Sequence, residues 1–128
     1  MTIRIVRLGT KRFRGEGLRI GTVRHPPRGV SKSDYAAQNW YDVWFPNLAP
    51  SATTVKLALL AKTERDLAAF EKRYRAEMAA VENSRALDLL AALSHHANFS
   101  VGCYCAEESR CHRAILRALL EERRARVK

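Results

Sequence analysis

The sequence predicts a small α/β protein, a mostly parallel sheet of few strands flanked by helices, with residues 1–128 as a single domain. Three observations carry that reading. Two short β-branched runs, Thr2 to Leu8 and Leu18 to Arg24, open the chain. A long stretch of helical periodicity follows, from Ser51 to about Leu93. A third apolar run, Asn98 to Cys105, then returns. A strand reached through a helical crossover pairs in parallel with the strand it left. The order strand, strand, helices, strand, helix is that of a sheet covered by helices.

Each element has its own signal. In Thr2 to Leu8, Ile3, Ile5, Val6 and Leu8 enclose Arg4 and Arg7. Gly9 to Gly17 is a basic turn. Leu18 to Arg24 reads as a central strand whose Gly21 weakens it or admits another backbone. Pro26-Pro27 stops it, and Arg28 to Lys32 forms a basic loop in which Gly29 suits a positive φ. Tyr35, Trp40, Tyr41, Trp44 and Phe45 fit an aromatic wall packed on the sheet better than a base-stacking platform. Ser51 caps a short helix through about Ala61. Thr63 with Asp66 is a capping pair that opens the next helix. Its apolar stripe is Leu67, Phe70, Tyr74, Met78 and Val81. Ser84 caps a further helix with Leu87, Leu90, Ala91 and Leu93 inward, and His95-His96 lies at its end. Cys111 or His112 opens the last helix, with Ile115, Ala118 and Leu119 inward and Arg117–Glu121 paired outside. Residues 123–128 form a basic tail expected to fray.

Composition narrows the function classes. The chain is 47% hydrophobic and 28% charged, as a globular domain is. No apolar run approaches the roughly 20 residues that span a bilayer, and the first residues lack an apolar signal core. Three cysteines cannot all pair within one chain, which favours a reducing compartment. A cytoplasmic protein without a membrane partner is therefore expected. No cofactor is indicated, and oligomeric state is not written in the pattern. The net charge is +10, and Met1 to Lys32 holds nine Lys/Arg against one acid, Glu16. Such a chain attracts an anionic small molecule or nucleic acid. The alternative for each single Arg is a solvated surface cation.

The chemistry concentrates in Phe99 to Arg113, which holds all three cysteines and one of the four histidines. Cys103 and Cys105 point to one face of a strand. A bridge between them would be strained, because two strand residues span roughly 6.6 Å, near the upper limit of disulfide geometry. Cys105 and Cys111 bracket Ala-Glu-Glu-Ser-Arg and approach each other if that loop folds back. A strand-end Cys105 facing a helix N-terminus near Arg110, His112 and Arg113 is expected to be acidic and nucleophilic. Glu107 suits an acid, a base or an orienter of Arg, and His112 suits a proton shuttle. Cys105-x4-Arg110 bears a superficial likeness to the rhodanese loop, without its usual glycine. Cys103, Cys105, Cys111 and His112 also count to four metal donors, but Cys-x-Cys is tight for zinc and adjacent Cys111-His112 fits one ion poorly. No metal site is assigned, and Cys103 reads as a small core residue.

Open α/β sheets bind ligands at the carboxyl ends of their strands. Arg24 ends one strand and Cys105 another, so parallel strands place both on one rim. The expected pocket takes a phosphate or other anion at Arg24, Arg28, Lys32 and Arg113, around a catalytic group of Cys105, Glu107, Cys111 and His112. A non-catalytic nucleic-acid or nucleotide-binding module is the alternative, and a metal-binding regulatory protein a third.

Four motifs are similar to those of one family. They are Val23-Arg24-His-Pro-Pro27-Arg28-Gly29-Val30-Ser-Lys32, Ala49-Pro50-Ser51, Phe70-x3-Tyr74-x2-Glu77, and Cys105-Ala-Glu107 with Cys111-His-Arg113. On these the chain resembles domain of unknown function 488, including its YeaO-like branch, over nearly its whole length. The resemblance implies an α/β fold with the marked residues gathered on one side, and no established activity. Two positions depart. Thr22 stands where the family often has Asp, and Cys103 where it is usually apolar.

Overall fold

The computed structural model describes residues 1–128. Strands β1 (Ile3–Arg7), β2 (Leu18–Gly21) and β3 (Val43–Trp44) precede helices α1 (Ala52–Leu60), α2 (Glu64–Met78) and α3 (Val81–Leu93). Strand β4 (Phe99–Cys103) and helix α4 (His112–Glu122) close the chain. The sheet is parallel throughout, in the order β1-β4-β2-β3. The α/β expectation therefore holds, with one strand more than the sequence reading placed. No helix is long and apolar enough to cross a membrane.

The helix starts follow their caps. Ser51 Oγ accepts from the Thr54 N–H, and Thr63 with Asp66 forms the reciprocal capping box. Phe70, Tyr74 and Met78 carry the α2 stripe into the core, where Leu87, Leu90, Leu116 and Leu120 meet it. Val81 does not continue that stripe. The helix ends at Met78, and Val81 opens α3 with its side chain exposed. Ala79-Ala80 contains no breaker residue; packing turns the chain, and Asn83 Nδ2 donates to the Glu77 carbonyl at 3.0 Å. Ser84 therefore lies inside α3 rather than capping it, and Leu93 is exposed rather than inward.

The carboxyl tail is also different from its expected state. Ile3 N donates to Arg126 O at 2.8 Å, Lys128 N to Ile3 O at 2.9 Å, and Arg126 N to Ser94 Oγ at 2.9 Å. Strand β1 is a sheet edge with unpaired backbone groups, and the tail satisfies part of that edge. Residues 126–128 are thus pinned. Arg117 pairs with Glu108 at 2.7 Å instead of with Glu121, because Glu108 sits on the loop that precedes the same helix.

Close packing explains two glycines. Gly21 admits the ring of Tyr41 rather than a second backbone. Gly17 has φ +80°, and a Cβ there would collide with the Asn98 carbonyl oxygen. Gly17→Ala is expected to lose on the order of 1–3 kcal/mol, read as a lower urea midpoint; an unchanged midpoint would contradict the close approach.

Next to Gly17 lies a buried ion pair that the sequence pattern does not announce, since Arg19 sits among the residues of β2 as any strand cation would. Arg19 is fully buried and Glu16 nearly so. The guanidinium grips both carboxylate oxygens at 2.8 and 3.0 Å and donates to the Thr10 and Asn39 carbonyls. Ser100 Oγ and the Phe13 N–H complete the carboxylate's partners. The loop after β1, the start of β2 and the start of β4 are tied by this pair.

Candidate functional site

All four strands run the same way, so their carboxyl ends form one rim. On it stand Arg7 at the end of β1, Arg24 beyond β2, and Tyr104-Cys105 beyond β4. These residues line one open cleft of about 1270 Å³, together with Arg28, Lys56, Cys103 and His112. Arg24 and Arg28 thus share a cleft with Cys105, as the sequence reading expected. No Asp or Glu lines it.

Two guanidiniums on the rim are held by one nitrogen each. Arg24 Nε donates to the Pro50 carbonyl at 3.0 Å, and Arg7 Nε to the Tyr104 carbonyl at 3.3 Å. Their terminal nitrogens make no protein hydrogen bond, which suits bidentate contact with an oxyanion. The Pro50 acceptor is itself fixed. Glu77 accepts from Ser51 N at 2.9 Å, from Ser51 Oγ at 2.6 Å and from Thr54 Oγ1 at 2.6 Å, clamping the start of α1. The Ala-Pro-Ser and Phe-Tyr-Glu motifs therefore build the wall that aims Arg24.

Cys103 and Cys105 line the cleft, and Cys111 lies outside its lining. Cys103 and Cys111 are buried, and Cys105 is exposed. Cys103 Sγ and Cys111 Sγ are 2.8 Å apart. Cys103 is buried as expected, yet it belongs to the sulfur group rather than to packing alone. The neighbouring thiols of Cys103 and then Cys111, with the nearby positive charge of Arg113, pull the Cys105 thiol below its ordinary value. Cys103 is pushed up, since the neighbouring Cys105 and Cys111 and its burial all favour the protonated thiol. In Cys111 the contact with Cys103 works the other way, but the neighbouring Cys105 and burial outweigh it, so its thiol is also raised. The arrangement is one exposed thiol facing the cleft and two buried thiols.

His112 is positioned from three sides. Its Nε2 lies 2.9 Å from the Thr22 carbonyl, a pure acceptor, so Nε2 carries the proton. Nδ1 is then a lone pair, 3.5 Å from Cys111 Sγ. Tyr74 meets the ring edge-on at 5.5 Å and donates its hydroxyl to the Leu48 carbonyl at 2.6 Å. Burial lowers the imidazole to about 4, which keeps it neutral near pH 7. Thr22, at the family's Asp position, thus supplies a neutral partner to His112.

Three arginines staple the loop between the cysteines. Arg113 Nη2 donates to the Cys105 carbonyl at 2.7 Å, Arg110 Nη2 to the Ala61 carbonyl at 3.1 Å, and Arg117 grips Glu108. Arg113 is buried with no carboxylate partner, and its Nε has no hydrogen bond. It does not line the cleft; it holds the backbone of Cys105 and supplies buried positive charge beside it. Glu107 is exposed on the loop and Lys32 is exposed on its 3₁₀ turn, both outside the cleft lining. Arg117→Met is expected to cost under about 1 kcal/mol globally, because the pair with Glu108 is partly solvated. It should nevertheless speed amide exchange across residues 106–111; unchanged exchange there would show that the ion pair does not hold the loop.

Two cleft cations escaped the sequence reading. Arg7 had a usable signal, since it ends a strand parallel to the one that Arg24 follows. Lys56, within α1, had none. Much of the remaining N-terminal charge is engaged internally: Arg19 with Glu16, Arg12 with Asp42 at 2.8 Å, and Arg4 over the Phe13 ring at 4.5 Å.

Donor atoms of Cys103, Cys111 and His112 also lie within 4.8 Å of one another. Adjacent Cys111 and His112 thus reach a common centre after all, because Cys111 is the extended residue before α4 and His112 its first turn.

Fold and site together define a small parallel α/β protein with two cysteines lining a cationic cleft. Residues 3–124 match the family model described as "Active DUF488-N3 subclade". The chain belongs to the DUF488 family. No curated protein and no solved structure gives a significant match.

Proposed function

We propose that this protein is a thiol-dependent enzyme acting on a small anionic electrophile, with Cys105 as the nucleophile. The observation that carries the reading is the placement of the one exposed thiol in a cleft lined by Arg7, Arg24, Arg28 and Lys56 and by no carboxylate. The guanidiniums of Arg7 and Arg24 orient the anion, and their field attracts it from solution. The buried thiols of Cys103 and Cys111 and the buried charge of Arg113 keep Cys105 ionised. The description of the matched subclade as active supports an enzyme. Iodoacetamide labelling tests the reading. Cys105 should label faster than a free thiol at neutral pH, and inorganic phosphate should slow the labelling in wild type more than in Arg24→Met. Labelling no faster than a free thiol, or indifferent to phosphate, would refute it.

One observation favours a second reading, a site for a thiophilic cation. Cys103, Cys111 and the Nδ1 lone pair of His112 offer three converging donors, and the Nε2–H bond to a carbonyl is the orienting contact common to metal-bound histidines. Elemental analysis of the purified protein decides it. Stoichiometric zinc would support the cation site, and its absence would remove it.

A further inference from the structure

Helix α1 has two faces, and only one packs against the rest of the fold. Thr54 Oγ1 donates to Glu77 at 2.6 Å, and Leu57 and Ala58 pack on the core. Ala52, Val55, Lys56 and Leu59 recur at helical spacing as a second stripe, and all four line the cleft. An outward helix face is ordinarily polar. This one carries a single amine among three apolar side chains, and Leu59 is 78% exposed. Pro26, Pro27 and Trp40 also line the cleft, so its apolar surface is not confined to one wall. At about 1270 Å³ the cleft is larger than most small-molecule sites, which run to about 300–1,000 Å³. A bare phosphate leaves most of it, and the whole α1 stripe, to water.

Charge sits at one end of that stripe. Arg24 Nε donates to the Pro50 carbonyl at 3.0 Å, and Pro50 lies just before the Ser51 cap of α1. The free terminal nitrogens of Arg24 therefore stand at the amino end of the helix. Leu59 lies about 10 Å further along it, at about 1.5 Å per residue. Cationic and apolar surface are thus separated along one axis, and no carboxylate interrupts either. We propose that the cleft binds an amphipathic organic anion, its phosphate or carboxylate head on Arg24 and Arg7 and its apolar body along Ala52, Val55 and Leu59. This rests on the anion-cleft reading above and adds the class of its substrate. Lys56 fits the arrangement, because its methylene stem extends the apolar wall while its amine adds to the cationic field. A bilayer meets a convex face. A stripe that forms one wall of a cleft shared with Arg7 and Cys105 suits a single dissolved molecule instead.

Isothermal titration calorimetry of the full chain with methyl, butyl and octyl phosphate, each below its micelle concentration, is the test. Affinity should rise by up to about fourfold per methylene buried, so octyl phosphate should bind at least about a hundredfold more tightly than methyl phosphate. Leu59→Ser should weaken octyl phosphate by about tenfold or more and methyl phosphate far less. Leu60→Ser is the control, since Leu60 is 73% exposed but lies outside the cleft lining, and it should shift neither. Both positions are exposed, so neither variant disturbs the core. Arg24→Met should weaken the short and long phosphates by a similar factor. Iodoacetamide labelling of Cys105, run in parallel, separates this proposal from the nucleophile reading. Phosphates that bind equally whatever their chain length, with Cys105 still labelled fast, would overturn the amphipathic class and leave the nucleophile standing. Chain-length-dependent binding with Cys105 no faster than a free thiol would support the amphipathic site and refute the nucleophile. Equal losses in Leu59→Ser and Leu60→Ser, or uptake on phosphatidylglycerol vesicles without binding of monomeric octyl phosphate, would assign the stripe to a lipid surface and overturn the proposal. No binding of any of the three phosphates would refute the anion cleft and the proposal with it.

Discussion

Glu16→Ala should be the most destabilising single substitution of a charged residue in this protein, costing about 3–5 kcal/mol. The change leaves the Arg19 guanidinium fully buried without its carboxylate, and removes the acceptor of Ser100 Oγ and of the Phe13 N–H. Burial alone would raise the Glu16 carboxyl, but the Arg19 and Ser100 side chains and the Phe13 N–H hold it at about 2. The sign follows from the lowered value. The stabilisation is complete above the ordinary carboxylate pKa of 4.5 and is lost as pH falls through about 2. His112 acts in the same direction, because a neutral buried imidazole held near 4 disfavours folding as the unfolded state takes up protons below about 6.5. Urea unfolding of wild type and Glu16→Ala at pH 7 and pH 3 checks this. The difference between the two should shrink at the lower pH; a loss below about 1 kcal/mol at pH 7 would show that the pair does not hold the loop and strands together.

The second large effect concerns the pH dependence of Cys105. Its thiol is lowered to about 2, first by the neighbouring Cys103 thiol and then by that of Cys111, against a rise from burial. Alkylation of the wild type should therefore be nearly level between about pH 5.5 and 8.5, since the thiolate is already present. A free thiol of pKa about 8.5 slows roughly five-hundredfold over those three units. Replacing Cys103 and Cys111 together with Ala removes both neighbouring thiols, and the profile should regain most of that slope. A wild-type rate that falls tenfold per unit below pH 8 would mean that the neighbouring thiols do not stabilise the charge. Retention of a level profile in the double variant would transfer the role to Arg113.

The fold was largely legible because its signals are local. Ser51 and Thr63 announce helix starts through orphan N–H groups that a side chain one turn away must satisfy. Three β-branched runs around a helical crossover permit little besides a parallel sheet. What escaped was set by packing. Nothing in Ala79-Ala80 marks the break between α2 and α3, and two residues, Val43 and Trp44, are too few to announce β3. The tail at 126–128 looks solvated in sequence, yet the unpaired edge of β1 captures it.

The site was legible in outline for the same reason. Arg24 and Cys105 each end a strand, and parallel pairing alone places them on one rim. Glu107 and Glu108 are adjacent and chemically alike, so sequence could not say which one Arg117 would take. Nor could it say that Arg113 turns inward to the Cys105 carbonyl while Arg7 turns to the cleft.

At the cysteine stretch the division is clear. The sequence by itself determined a strand, a polar loop and a helix start carrying three thiols and an imidazole in a strongly basic chain. Only the tertiary structure decided that Cys103 and Cys111 are buried while Cys105 is exposed, with His112 Nδ1 turned toward Cys111 by a bond from Nε2 to the Thr22 carbonyl. Residue identity and spacing set local conformation through hydrogen bonds a few positions away. Which sulfur faces solvent, and which proton sits on the imidazole, depend on partners about 90 residues distant in sequence, brought together only when β2 and β4 pair.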